Sequence, residues 1–190
     1  MNGNNWLIFE KALDPEWCDA LIEHATENYT PQEGVIGFDD SKVDKNVRIS
    51  EVRWLNVHTE KDVVNTIWQY ANWANRDSFA FDLQWLNDIQ FTKYVGSSKE
   101  PGKYDWHYDI DWSSNAQYHR KLSMVFMLTD PSEYEGGVFE FQNPVAPLPP
   151  GAMSKGTVIA FPSFFTHRVT PVTSGTRHTL VTWVEGPQFR

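Results

Sequence analysis

Apolar residues in the first part of the chain recur at helical spacing. Trp17, Leu21, Ile22 and Ala25 form a stripe behind Asp14, an N-cap residue, and Pro15, which suits a first helical position. Val63, Ile67, Tyr70, Ala71 and Ala74 form another, predicting a helix from about Thr59 to Asn75. Between the two stripes, Pro31 to Asn46 keeps no period and reads as a loop, and Ile49 to Val57 reads as a strand. After Phe81 the pattern turns to alternation. Strands are predicted over Leu83–Val95, Tyr104–Ile110, Leu122–Leu128, Val138–Phe141, Thr157–Phe161, Thr166–Thr170 and His178–Val184. Turn residues separate them: Gly96-Ser97-Ser98, Gly136-Gly137, the Pro-rich stretch Pro144 to Gly151, Lys155-Gly156 and Ser174-Gly175. Helices followed by many short strands predict a mainly β fold, an antiparallel sandwich or barrel with supporting helices on its outer face. No internal repeat is visible, and the expectation is a single domain over residues 1–190, with helical support over about 1–80 and the β core over about 81–190.

Composition narrows the function classes. Apolar residues make up 41% of the 190 and aromatics 15%, enough for a sizeable core and against disorder. The formal net charge of −9, with no basic run to offset it, argues against nucleic acid as a partner. Cys18 is the single cysteine, which excludes an intrachain disulfide and argues against a cysteine-based metal site. Met1 to Trp6 is polar and lacks the regions of a signal peptide, and no apolar run approaches the roughly 18 residues that span a bilayer. A soluble, cytoplasmic protein with no membrane partner is expected. No heptad or exposed stripe speaks to oligomeric state.

Candidate chemistry centres on Tyr104-Asp105-Trp106-His107-Tyr108-Asp109. On a strand, residues i and i+2 share a face, so the His107 imidazole and the Asp109 carboxylate converge. Asp105 and Asp111 have the same parity, leaving Asp111 as a rival to Asp109. An isolated His-x-Asp is a weak signal, more often a surface pair than a ligand set. A third donor, His167, lies in a later strand segment. Two histidines and one carboxylate on one face make a facial triad with open positions, the donor set of non-haem Fe(II). His24, His58, His119 and His178 read as structural or exposed. Arg177 follows His167 by ten residues. If Pro171 and the pair Ser174-Gly175 turn the chain back, a hairpin would bring its guanidinium near the metal but outside bonding range, where it could grip a distal carboxylate. The bland alternative for Arg177 is a salt bridge to an Asp or Glu.

Together these residues resemble the prolyl 4-hydroxylase-like branch of the Fe(II)/2-oxoglutarate oxygenases. Supporting segments are Gly102-Lys103-Tyr104, Tyr134-Glu135-Gly136-Gly137 with Phe139 and Phe141, and Lys155-Gly156-Thr157 leading into Phe161-Pro162-Ser163. His167-Arg168-Val169-Thr170-Pro171-Val172 with Gly175-Thr176-Arg177 is the most specific and is similar to the PKHD-type bacterial peptidyl hydroxylases. The resemblance covers about Leu83 to the C-terminus and extends weakly to Leu13-Asp14-Pro15-Glu16-Trp17-Cys18. It implies a double-stranded β-helix (jelly-roll) core, with iron on His107, Asp109 and His167 and the distal carboxylate of 2-oxoglutarate on Arg177. It also implies help from Tyr94, Tyr104 facing the substrate, and Trp183 beside the iron pocket, where ordinary core packing is the equal alternative. The activity implied is hydroxylation of an unactivated C–H bond, with a prolyl residue in a peptide or protein as the leading substrate and ascorbate as an accessory reductant. A carboxylate at Asp109 favours hydroxylation over halogenation. The alternatives are a hydroxylase of a free amino acid or small metabolite, a catalytically inactive jelly-roll binding module, and a zinc hydrolase that would leave Arg177 unexplained. Phe38, Trp112 and Tyr118 mark the segments Gly34–Val47 and Asp111–Arg120 as lids, together with Gly96–Lys103.

Overall fold

In the computed structural model, which describes residues 6–37, 42–112, 117–144 and 146–189, Asp14 caps the first helix by accepting from the Glu16 amide at 2.8 Å. In chain order the first elements are β1 (Leu7–Phe9), α1 (Pro15–Asn28), β2 (Gln32–Glu33), β3 (Arg48–Ile49), β4 (Glu51–Leu55) and α2 (Lys61–Ala74). Then come β5 (Trp85–Val95), β6 (Lys103–His107), β7 (Tyr118–Met127), β8 (Tyr134–Gly136) and β9 (Phe139–Phe141). The chain closes with β10 (Val158–Pro162), β11 (His167–Val169) and β12 (Val172–Pro187). Among these residues no helix is long and apolar enough to cross a membrane.

All strand pairs are antiparallel. The larger sheet runs β1-β10-β7-β12-β5-β4-β2, with β8 against the start of β12, and the smaller runs β3-β6-β11-β9. This mainly β architecture with two helices is the expected double-stranded β-helix. Two apolar layers follow from strand parity. Leu122, Met124, Phe126 and Leu128 of the β7 region join Ile89 and Phe91 of β5 against Leu21, Ile67 and Ala71 of the helices. Val125 and Met127 point the other way and pack with Phe139, Phe141, Phe161 and Val169 between the sheets. Both faces of the Leu122–Met127 part of β7 are therefore buried, which is why that stretch is a nearly continuous apolar run.

Three sequence expectations change. The strand expected over Ile49–Val57 is two strands in different sheets, β3 and β4, so the chain crosses between sheets at Ser50. The strand expected over Tyr104–Ile110 ends at His107. Ser174-Gly175 is not a turn, because both residues lie within the long β12 and pair with β8. Gly175 takes a φ of 72°, and a Cβ there would sit 2.0 Å from the Glu133 carbonyl oxygen. The glycine thus lets β12 bend past β8 without stopping. The break falls at Thr170-Pro171, between β11 of the smaller sheet and β12 of the larger.

His178 sits on the helix-facing side of β12, stacked on Phe91 at 5.5 Å, with Nδ1 3.2 Å from Thr129 Oγ1. Burial, helped by Lys93 and Arg53, pushes its pKa down to about 4. The unfolded chain, near 6.5, then binds a proton that the folded chain refuses, so this residue removes stability as pH falls from about 6.5 towards about 4. His178→Gln should lose less stability than wild type over that window, by up to about 3 kcal/mol, in denaturant melts at both ends of it.

Candidate active site

His107 and His167 face each other across neighbouring strands of the smaller sheet, β6 and β11, where they are register partners. Their ring centroids are 4.2 Å apart. Each Nδ1 lies 2.8 Å from a main-chain carbonyl, Asp105 for His107 and Phe165 for His167. A carbonyl only accepts, so Nδ1 carries the proton in both rings and each Nε2 presents a lone pair to the space between them. Asp109 arrives by a bend. Past the end of β6 its amide donates to the Ser163 carbonyl at 2.8 Å, turning the carboxylate towards the imidazoles. Oδ1 lies 3.7 Å from His107 Nε2 and Oδ2 3.6 Å from His167 Nε2. These gaps are too long for hydrogen bonds. Two ligands bonded to one ion at about 2.1 Å sit about 3 Å apart when at right angles and about 4.2 Å when opposite, so the gaps suit a shared cation. Among the described residues this is the one group of three or more such donors placed to hold a metal, and Asp111 is not in it. Asp111 lines the cavity nearby.

The electrostatics suit a cation. Burial, with the neighbouring His167, pushes His107 down to about 3, so its ring is neutral at ordinary pH. Burial pulls Asp109 towards protonation, but His167, His107 and the Ser123 hydroxyl outweigh it and hold its pKa below the usual carboxylate value. Ser123 Oγ donates to Asp109 Oδ2 at 2.6 Å and lies 2.9 Å from Ser163 Oγ. The sequence assigns neither serine a role at the site, although Ser163 ends the segment Phe161-Pro162-Ser163 and Ser123 is the one hydroxyl in the apolar stretch Leu122–Met127.

The metal-sized gap opens into a cavity of about 580 Å³ between the sheets. Arg177, Thr179, Val181 and Trp183, alternate residues of β12, all line it. Arg177 is 1% exposed, yet two of its guanidinium nitrogens, Nε and Nη1, have no hydrogen-bond partner among the described residues. Nη2 donates to Met127 Sδ at 3.3 Å, and the group lies over the Tyr94 ring at 5.5 Å. The alternative of a structural salt bridge is not realised among the described residues. Tyr94, the β5 register partner of Arg177, is buried and lines the cavity. Tyr104 lines it too, with its ring stacked on His107. Trp183 is buried under the guanidinium of Arg120, with its Nε1 unpartnered, and forms cavity wall.

The expected lids fare unevenly. Phe38 lies outside the described residues. Tyr118 lines the cavity but belongs to β7, not to a loop. Trp112 is exposed beside His119, Phe164 and Phe189, and neither it nor the described segment 96–102 lines the cavity. That segment is tied to strands instead: the Gly102 amide donates to Val95 and its carbonyl accepts from Val172.

Comparison with known proteins finds relatives and structures of the same fold. The sequence model of the 2OG-Fe(II) oxygenase superfamily matches residues 89–185. A PKHD-type hydroxylase of Synechococcus sp. (strain CC9605) is 36% identical over 91 residues, which is 48% of this chain and 40% of that relative. A PKHD-type hydroxylase of Prochlorococcus marinus is 25% identical over 181 residues, 94% of this chain and 77% of the relative. Among solved structures, the viral collagen prolyl hydroxylase of Paramecium Bursaria Chlorella virus-1, in its 2OG complex, has a TM-score of 0.70 at 21% identity, covering 97% of this chain and 98% of that one. A Trichoplax adhaerens prolyl hydroxylase bound to a hypoxia inducible factor peptide fragment has a TM-score of 0.72 at 14% identity, covering 96% and 84%. These structural likenesses are likenesses of fold.

Proposed function

The chain belongs to the 2OG-Fe(II) oxygenase superfamily, and from that premise we propose that it is a 2-oxoglutarate-dependent hydroxylase of a prolyl residue in a peptide or protein. The observation that carries the reading is a buried, half-unsatisfied guanidinium sharing one cavity with a histidine–aspartate–histidine cluster. Burying a cation without a counter-charge is costly, and a dicarboxylic acid with one end at the cluster and the other at Arg177 removes the cost.

The residues fit the family's metal and co-substrate. His107 Nε2, His167 Nε2 and the Asp109 carboxylate would hold iron, with Ser123 fixing the carboxylate's orientation. When bound, ferrous iron with 2-oxoglutarate and O2 supplies the oxidising power that turns C–H into C–OH, releasing succinate and CO2. The protein's own part is binding and orientation. Arg177 offers Nε and Nη1 to the distal carboxylate, a charge-assisted pair strengthened by the dry surroundings of Tyr94 and Met127. Tyr104 and Trp183 form walls that position the substrate and keep water out.

A peptide is supported by the cavity lining, where Trp54, Trp106, Tyr108 and Tyr118 supply flat apolar faces for a prolyl ring and its neighbours, the first three of them exposed. Prolyl hydroxylases of the same fold, one solved with a peptide, point the same way. The test is incubation with Fe(II), 2-oxoglutarate, ascorbate and a proline-containing peptide library, read by succinate release and by mass. One added oxygen on a prolyl residue is expected. Succinate formation stimulated by a free amino acid or metabolite, with no oxidised peptide, would replace the peptide reading. Metal binding without succinate formation under any substrate would sink the hydroxylase.

A further inference from the structure

Arg48 is a second buried arginine in the cavity wall, outside the set just described. All of its described hydrogen bonds go to neutral groups: Nε to Ser50 Oγ at 2.8 Å, Nη1 to the Val35 carbonyl at 3.1 Å and Nη2 to Gln90 Oε1 at 2.6 Å. Bonds on three sides fix the plane of the guanidinium. That plane covers the Tyr104 ring, with Cζ 4.4 Å from the centroid. The contact follows from strand register, because Arg48 of β3 is the partner of Tyr104 on β6. Tyr104 in turn stacks on His107, with centroids 3.5 Å apart and planes 11° from parallel. An imidazole that close fills one face of the phenol ring, so the guanidinium covers the other. The result is a three-layer stack of guanidinium, phenol and imidazole ending on a side chain of the metal cluster.

Resting on the metal-site reading above, we propose that Arg48 is a positioning residue for the metal centre. It acts through Tyr104 to hold the His107 imidazole in the plane that aims Nε2 at Asp109 and His167. The one hydrogen bond of the His107 ring among the described residues, from Nδ1 to the Asp105 carbonyl, leaves the ring free to swing about that contact. A flat partner against its face removes this freedom, and the clamped guanidinium keeps the partner from yielding. Space is reserved for the clamp: a Cβ on Gly34 would come within 2.6 Å of Arg48 Nε and 2.3 Å of Ser50 Oγ. Among the described residues no carboxylate bonds this buried arginine, which makes it an expensive way to fill space by packing alone.

The test is Co(II) titration of the full chain, followed by visible absorption and calorimetry, for wild type, Tyr104→Phe, Tyr104→Leu, Arg48→Met and the Tyr104→Leu/Arg48→Met double variant. Melting temperatures without metal are taken alongside. Tyr104→Leu and Arg48→Met should each weaken Co(II) binding by about tenfold or more and alter the spectrum, whereas Tyr104→Phe, which keeps the stack, stays within about twofold. The double variant should bind no more weakly than the weaker single one, because both changes remove the same restraint. Tyr104 is only partly buried, so its leucine variant carries the test if Arg48→Met does not fold. Wild-type Co(II) affinity and spectrum in Tyr104→Leu overturn the proposal, even if its melting temperature falls. A wild-type protein that fails to bind Co(II) sinks the metal site and this proposal together. Wild-type binding with unaffected variants sinks the stack alone.

Discussion

Asp109→Ala is expected to reduce succinate release from 2-oxoglutarate by more than about a hundredfold, the upper range for merely removing a group behind a metal ligand. The carboxylate lies 3.7 Å from one imidazole nitrogen and 3.6 Å from the other, so its loss leaves two imidazole donors and an opening for water. Fe(II) should then dissociate readily, and its stabilising effect on thermal unfolding should vanish. Without metal the variant should melt close to wild type, since the change removes a buried charge and leaves Ser123 with Ser163 as a neighbour. Activity within tenfold of wild type, or an unchanged Fe(II)-induced shift, would show that the metal is held elsewhere.

Arg177→Leu should produce two effects of opposite sign. Truncating one partner of a buried, hydrogen-bonded charge pair costs about 2–5 kcal/mol, so the KM for 2-oxoglutarate should rise by roughly 30-fold to several thousandfold. The protein without ligand should be as stable as wild type or more so, by about 1–3 kcal/mol, because leucine removes a charge whose Nε and Nη1 have no partner. Paired melts with and without 2-oxoglutarate test both effects. The ligand-free variant should melt at or above wild type, and the ligand should no longer raise its melting temperature. A ligand-free protein that is strongly destabilised would mean that Arg177 holds the fold together and does not wait for an anion.

The location of the site was legible in the sequence because its main residues obey short-range rules. His107 and His167 fall in recognisable strand segments. Arg177 lies outside the expected strand His178–Val184 and Trp183 comes only from the resemblance, and it is the long β12 that gives both the parity to reach one cavity. The route to that arrangement was misread. Asp109 converges because its amide leaves β6 for the Ser163 carbonyl, a contact between residues 54 apart in the chain. Arg177 is delivered by an unbroken β12, not by a hairpin at Ser174-Gly175, since the glycine's left-handed backbone serves a close pass of β8. A serine–glycine pair has the same chemistry in a turn and in a bulge, and only the neighbouring strand decides between them.

What the sequence determined by itself is local: two amphipathic helices, a run of short strands, and donors of the right kind at spacings that let them share a face. Backbone sterics and side-chain period act over a few residues, so they can be read without neighbours. The tertiary structure decided what depends on distant partners. It set the crossing between sheets at Ser50, the serine pair behind Asp109, the guanidinium clamped over Tyr104, and the absence of a described counter-charge for Arg177. Burial and hydrogen-bond satisfaction are sums over everything nearby, and no stretch of sequence contains its own surroundings.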